Sequence, residues 1–279
     1  SENTFSPTSG LTGVKTGSCN VISLNMNRII QNWARWYNES MDGMDSADMH
    51  IFYAPNSGFK PYLEAILERV YKYHIAFKTM LYDWEDKGMF ASSNGGYINI
   101  KDLFSTVGIN GLNEAAEYMG LTVSNNPEYI RFLQEILGTI KLNNKMNSIH
   151  DKKRPFLFNS EVVPAEGLGV KNYNWDAQDG YWVPKDRNLY NSYFYNAHDN
   201  TSVLDKFILH GRQTYQFTDG GSALHCNLKD HLSKEQYLKL IDFAIKEGTN
   251  YFTFNIPNSI RCIFFCDFQN IFHINRTIF

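Results

Sequence analysis

The feature that most constrains this chain is an alternation. Short apolar runs ending in Gly or Asn turns lead repeatedly into longer segments of helical period. It is clearest in "TYQFTDGGSALHCNLKDHLSKEQYLKLIDFAIKEGTNYFTFNIP", which reads as strand, Gly-Gly turn, strand, helix, strand. Ser233, with Gln236 three residues on, has a capping-box pattern, and Gly248 ends the helix. The spacing gives that helix an apolar face of Leu238, Ile241, Phe243, Ala244 and Ile245. Strands separated by helices predict an α/β protein with mostly parallel pairing.

The same unit recurs along the chain. "CNVISLNMNRII" reads as a buried strand entering the helix "RIIQNWARWYNE". Leu63, Ile66, Leu67, Val70 and Tyr71, continued by Ile75, Met80 and Leu81, predict a long helix stopped at Gly88. In "LFSTVGINGLNEAAEYMG" a short strand ends at Gly108, Asn-Gly makes the turn, and a helix starts at about Leu112 with Glu114 in its first turn. A second long helix follows, with Pro127 near its start. "RPFLFNSEVVPAEGLGVKNYNWDAQDG" gives a strand, a Pro-Ala-Glu-Gly turn and an aromatic-rich segment. A further helix begins near Ser202.

Composition narrows the function classes. The 279 residues, 43% hydrophobic, suffice for one large domain or two small ones. A formal net charge of -3 offers no basic footprint for nucleic acid, but leaves room for a local nucleotide site. No run approaches the ~20 apolar residues of a membrane span, and "SENTFSPTSG" has no signal-peptide core, so a cytoplasmic protein is expected. Its cysteines are then expected to be reduced.

In α/β sheets, ligands bind at the C-terminal ends of the strands. The turns there are "INGLNE", "VVPAEGLG", "TDGGSALH" and "NIPNS". They make Asn110, Gly111, Glu166, Gly220 and Gly221 the candidate substrate-binding residues, with helix N-termini after them to hold phosphates. The same glycines also serve ordinary turns. Glu166 and Asp219 are candidate polar site residues, though each taken alone reads rather as a satisfied loop carboxylate. His198 and His225 are candidates for titration near neutrality. On a strand His225 and Cys226 point to opposite faces, which excludes a base–nucleophile pair and leaves His225 as a hydrogen-bonded strand histidine. Cys19 is either a reactive thiol or a small buried residue. With only Lys15 beside it, the inert reading is favoured. Cys262 and Cys266, with His273 beyond, have a zinc-like spacing but no second pair, so no metal is expected there. There is no Gly-x-Ser-x-Gly elbow, Walker loop or Rossmann fingerprint.

In order, "TGSCNVISLNMNRIIQ", "VGINGLNEAAEYMG", "VVPAEGLGVKNYNWD", "NSYFYNAHDN", "YQFTDGGSALHCNL" and "EGTNYFTFNIPNS" resemble the anaerobic (class III) ribonucleoside-triphosphate reductases, the phage-like branch most closely. The resemblance implies a glycyl-radical-enzyme fold, a ten-stranded α/β barrel of two antiparallel halves. It implies oxygen-independent reduction of ribonucleoside triphosphates, with a glycyl radical, a thiyl cysteine and formate or a dithiol as reductant. Zinc, ATP or dNTP effectors, a radical-SAM activating enzyme and a homo-oligomer are implied too, with no membrane or nucleic-acid partner.

The resemblance runs from Asn3 to about Ser259. It makes residues 1–259 a partial catalytic barrel and 260–279 a divergent tail. The family's thiyl-cysteine position falls upstream of Ser1, and Cys19 lies too close to its strand to match it, so no catalytic residue is assigned. After "NIPNSI" come Arg261 and Cys262 at the wrong spacing for the family's zinc cysteines, and no glycyl-radical motif follows. The expectation is one piece of an interrupted reductase gene, inactive alone. The alternatives are a complementing subunit of a split reductase and a non-catalytic nucleotide-binding protein. Exposed edges of a half barrel favour association.

Overall fold

The computed structural model describes residues 17–40, 49–162, 165–196, 201–228, 231–249 and 251–255. Its strands are β1 (Gly17–Asn25), β2 (Leu103–Asn110), β3 (Leu157–Val162), β4 (Gly221–Ser222), β5 (Leu224–Asn227) and β6 (Phe252–Asn255). Its helices are α1 (Met26–Ser40), α2 (Met49–Phe52), α3 (Phe59–Asp86), α4 (Ala91–Asn94), α5 (Leu112–Tyr118), α6 (Pro127–Asn147), α7 (Glu166–Gln178), α8 (Val203–Leu209), α9 (Arg212–Tyr215) and α10 (Lys234–Glu247). This is the α/β class expected from the alternation.

β1 to β4 form one sheet in sequence order, and every neighbouring pair is parallel. β5 and β6 form a second parallel pair. Only Ala223 separates β4 from β5, and its N–H donates to the Val162 carbonyl. The run from Gly221 to Asn227 therefore pairs with β3 at its start and with β6 along the rest. The result is a single parallel succession, β1-β2-β3-β4/β5-β6, with no reversal of order. The connecting helices α3 and α6 pack together on one face of the sheet, as crossovers of one hand between successive parallel neighbours require. Among the described residues, β1 and β6 pair on one side only.

The helix-backed face is the core. Leu24, Val107, Ile109, Phe158 and Val162 from the strands join Leu63, Leu67, Phe132, Leu133, Ile136 and Leu137 from α3 and α6 in one buried cluster. Beside it an aromatic group locks α1 to α2 and α3. Trp33 meets Phe52 edge-on at 5.7 Å and Phe59 at 5.5 Å. Its indole N–H donates to the Ser57 carbonyl at 2.8 Å, so the ring is buried without an orphaned donor.

Local signals explain most boundaries. Asn126 caps α6 through the Tyr129 N–H, and Pro127 sits at its first position. α10 has the full Ser233–Gln236 capping box and ends on Gly248 at φ +82°. Two expectations are corrected. "TYQF" is not a strand: Arg212–Tyr215 is a helical turn, with the Thr214 hydroxyl donating to the Leu209 carbonyl at 2.5 Å. In α10, Phe243 and Ala244 face the core as expected, but Leu238 and Ile245 face solvent and Leu240 packs inward in their place. The aromatic-rich segment after the Pro-Ala-Glu-Gly turn is α7.

Candidate active site

The opposite face of the sheet is polar. Its side chains fall into rows set by the parallel register. One row runs Ser23–Gly108–Glu161–Gly221 across β1 to β4. The row behind it holds Val21, Thr106 and Asn159. The row ahead, at the strand ends, begins with Asn25 and Asn110. A Cβ on Gly108 would strike the Ser23 hydroxyl, which confirms that the two share this face. The Thr106 hydroxyl donates to Asn159 Oδ1 at 2.7 Å and lies 2.6 Å from the Ser18 hydroxyl. Farther across, Thr253 Oγ1 lies 3.0 Å from His225 Nδ1.

At the strand ends the predicted residues take distinct positions. Asn110 is buried, and its amide is engaged throughout. Oδ1 accepts from Asn172 at 2.8 Å, and Nδ2 reaches Ser192 Oγ at 3.0 Å and the carbonyls of Tyr190 and Asn191. Gly111 has φ +78°, donates its N–H to the Asn191 carbonyl at 3.0 Å and starts α5. A Cβ there would press on the Tyr190 ring at 3.2 Å. Both residues thus dock the 190–192 segment over the sheet's edge. Gly220 is strapped to β3, its N–H donating to the Ser160 carbonyl at 2.7 Å with no room for a Cβ. Gly221 has φ +121°, which side-chain-bearing residues rarely adopt, and the space beside its Cα is open.

Glu166 is the first residue of α7, exposed at the rim. The first-turn N–H groups of that helix have no intrahelical acceptor, and the space beside Gly167 is open. Glu166 is close enough to influence Tyr193, whose hydroxyl is pushed up to about 12, first by burial and then by that carboxylate. Tyr193 stacks on Tyr195 at 5.0 Å and meets His225 edge-on at 6.2 Å. These contacts bring Glu166, Tyr193 and His225 to one side of the open face.

Other candidates are structural. Asp219 accepts the Ser160 N–H at 2.9 Å and ties its turn to β3, while burial raises its carboxyl. Cys226 is fully buried on the face opposite His225, and burial pushes its thiol up to about 11. Cys19 lies 3.7 Å from the Ser105 hydroxyl. Lys78 of α3 is buried, which lowers its pKa, and its ammonium donates to the Leu103 carbonyl at 2.5 Å. His198, Cys262, Cys266 and His273 lie outside the described residues. Among the described residues no group of three or more His, Cys, Asp or Glu is placed to hold a metal ion, so no chemistry is routed through zinc. No described helix is long and apolar enough to cross a membrane.

Sequence reasoning missed three features. Glu161 stands in the middle of the open face. Asp176, buried in α7, gathers Asn25 (3.1 and 3.0 Å), Arg28 (2.5 Å) and Tyr190 (2.7 Å). Glu114, buried in α5, accepts from Arg187 at 2.8 Å and Asn191 at 2.8 Å. The last two hold α7 and the 187–191 segment over the strand ends. A surface hollow of about 430 Å³ lined by Tyr82, Glu85 and Arg154 lies near the other end of the sheet. Arg154 there is already paired with Asp83 and Asp86, so the convergence of polar groups at the strand ends is the better candidate.

No curated protein sequence matches the chain. Solved structures do. One is described as an anaerobic ribonucleotide reductase, with TM-score 0.70 and 22% identity, over 86% of this chain and 36% of that one. Another, from Thermotoga maritima with glycerol in the active site, has TM-score 0.71 and 22% identity over 86% and 37%. A third, from the same organism in complex with dATP and CTP, has TM-score 0.70 and 22% identity over 86% and 37%. The chain thus shares their fold and spans little more than a third of their length. The model of the family described as "Anaerobic ribonucleoside-triphosphate reductase" matches residues 2–268, past the expected boundary at Ser259. By that match the chain belongs to the anaerobic ribonucleoside-triphosphate reductase family.

Proposed function

We propose that this chain supplies the nucleotide-facing half of an oxygen-independent ribonucleoside-triphosphate reductase. The observation that carries the reading is the glycine-edged polar face, set at the C-terminal ends of parallel strands in a chain of this family. In this reading the first turn of α7 receives the phosphates, with Glu166 at the rim. Gly221, with open space beside it, lets the substrate lie close to the sheet, and Gly220 holds that turn against β3. Asn110 and Gly111 act one step back, holding the 190–192 segment that roofs the site.

The reaction replaces the ribose 2′ C–O bond by C–H. Formate or a dithiol gives two electrons, and the hydroxyl leaves as water. The glycyl radical, when formed by a radical-SAM activating enzyme, would supply the unpaired electron that starts this exchange. What the described residues do is bind, orient and exclude water. The family's zinc, its ATP or dNTP effectors, a homo-oligomeric state and a cytoplasmic location complete the proposal.

A second reading is a subunit that works with complementary reductase polypeptides. The sheet edges at β1 and β6, each paired on one side only among the described residues, favour it. One experiment serves both. The chain is titrated with the four ribonucleoside triphosphates, then assayed anaerobically with the activating enzyme, alone and with the remaining reductase segments. Nucleotide binding alone, with turnover and a glycyl-radical signal only on complementation, is expected. Failure of every triphosphate to bind would refute the site.

A further inference from the structure

We infer that Glu161 is the side chain that recognises the sugar hydroxyls of the bound nucleotide, in a slot between Gly108 and Gly221. The inference rests on the function proposed above and assigns one residue within it.

The register makes the slot. Glu161 is directly opposite Gly108 on β2 and Gly221 on β4. Neither neighbour has a side chain to crowd or answer the carboxylate. On the Gly108 side Ser23 leans over the bare backbone. On the Gly221 side a Cβ would meet nothing within 4 Å, so the space is open. Gly221 is kept as glycine by its φ of +121°.

The carboxylate is also unanswered. Asp176, Glu114 and Asp219 are each met by hydrogen-bond donors. Glu161 is half-buried, and no hydrogen bond or ion pair joins its carboxylate to the described residues. Burial raises its pKa with no partner to draw it back. An unanswered carboxylate at this depth costs stability, and a ligand that brings its own donors removes the cost.

The chemistry selects the ligand group. A carboxylate accepts and repels phosphate, so it needs O–H or N–H donors. Vicinal hydroxyls offer two donors at the spacing of its two oxygens. The adjoining polar side chains, Thr106 and Asn159, are already joined by a hydrogen bond from the Thr106 hydroxyl to Asn159 Oδ1. Ser23, Gly108 and Gly221 offer no ring on which a base would stack, whereas the stacked Tyr193 and Tyr195 stand toward β5. A sugar fits this row.

The test uses the whole chain, Glu161→Ala and Glu161→Gln, titrated with a ribonucleoside triphosphate and its 2′-deoxy counterpart. Glu161→Ala is expected to weaken ribonucleotide binding about tenfold or more and deoxynucleotide binding less than about twofold. Glu161→Gln should fall between. The thermal midpoint of Glu161→Ala should equal or exceed that of the unaltered chain, which a purely structural carboxylate would not allow. Unchanged ribonucleotide binding, or equal loss of both ligands, would overturn the inference while leaving the proposed site standing. If the unaltered chain binds no triphosphate, both fall together.

Discussion

The two faces of the same sheet obey different rules. Toward the helices, β1, β2 and β3 present Leu24, Val107, Ile109, Phe158 and Val162, all buried in one core. Toward the other side the same strands present Ser23, Thr106, Asn159 and Glu161. The first face is a packing surface, where each side chain stabilises the fold. The second is nearly all small or polar groups, and one of them, Glu161, is a carboxylate with no hydrogen-bond or ion-pair partner among the described residues. The packing residues and the polar residues are thus separated by the two-residue period of a strand. Substitutions on each face should report that separation.

The largest effect belongs to the helix-backed side. Trp33→Ala removes a fully buried ring and its contacts with Phe52 and Phe59. A loss of about 4 kcal/mol in unfolding free energy is expected in urea denaturation. A loss below about 1 kcal/mol would mean that this aromatic group is not part of the cooperative core.

Asp176→Ala comes next, at about 3 kcal/mol. Arg28 keeps access to water, so the cost comes mainly from Asn25, Asn27 and Tyr190, left without their common acceptor. Because this cluster seats α7, nucleotide affinity should fall with stability. Substitutions on the open face should instead uncouple the two.

Acid should act on the helix-backed side through histidine. Burial lowers His74 to about 4 and His210 to about 3, against an ordinary value near 6.5. Both are neutral in the native state. As pH falls below 6.5 the unfolded chain takes up protons that the folded chain refuses, and stability drops until the folded pKa is passed. Between pH 7 and 5 each contributes a loss of about 2 kcal/mol. Glu161 and Asp219, raised by burial, act in the opposite sense at lower pH. The measurement is therefore the difference between the unaltered chain and His74→Gln, which should lose about half of the acid slope.

Much of this was legible beforehand, for physical reasons that differ by residue. Helix ends were readable because capping is local: Ser233 with Gln236 and Asn126 before Pro127 need no distant partner. Gly111 was readable because an Asn-Gly pair after a strand demands a left-handed turn. The inward face of α10 was legible only in part: Phe243 and Ala244 were expected inward, but Leu238 and Ile245 fit helical spacing as well as Leu240 does. Only the neighbouring β5 and β6 decide between them. "TYQF" has strand-forming residues, but the Thr214 hydroxyl closes a helical turn. Asp176 and Asn25 are far apart in sequence, and nothing local announces their pairing. Glu161 had a weak signal, the polar–apolar alternation of Phe158, Asn159, Ser160, Glu161 and Val162. What gives it meaning is the pair of glycines opposite, and that is register, which only the fold supplies.

The sharpest test of the two-face contrast lies on β6, where adjacent residues point opposite ways. Phe252 packs edge-on against Phe207 at 5.2 Å and joins the core. Phe252→Ala should cost about 2 kcal/mol, less than a fully buried ring because Phe252 keeps partial exposure. Thr253, one residue on, lies 3.0 Å from His225 on the open face. Thr253→Val keeps the shape and strand propensity and removes one polar contact between half-exposed groups. His225 stays within reach of water, so the loss should be under about 0.5 kcal/mol. A loss for Thr253→Val equal to that for Phe252→Ala would show the open face to be packed in solution. In that case the slot beside Glu161 would be closed as well.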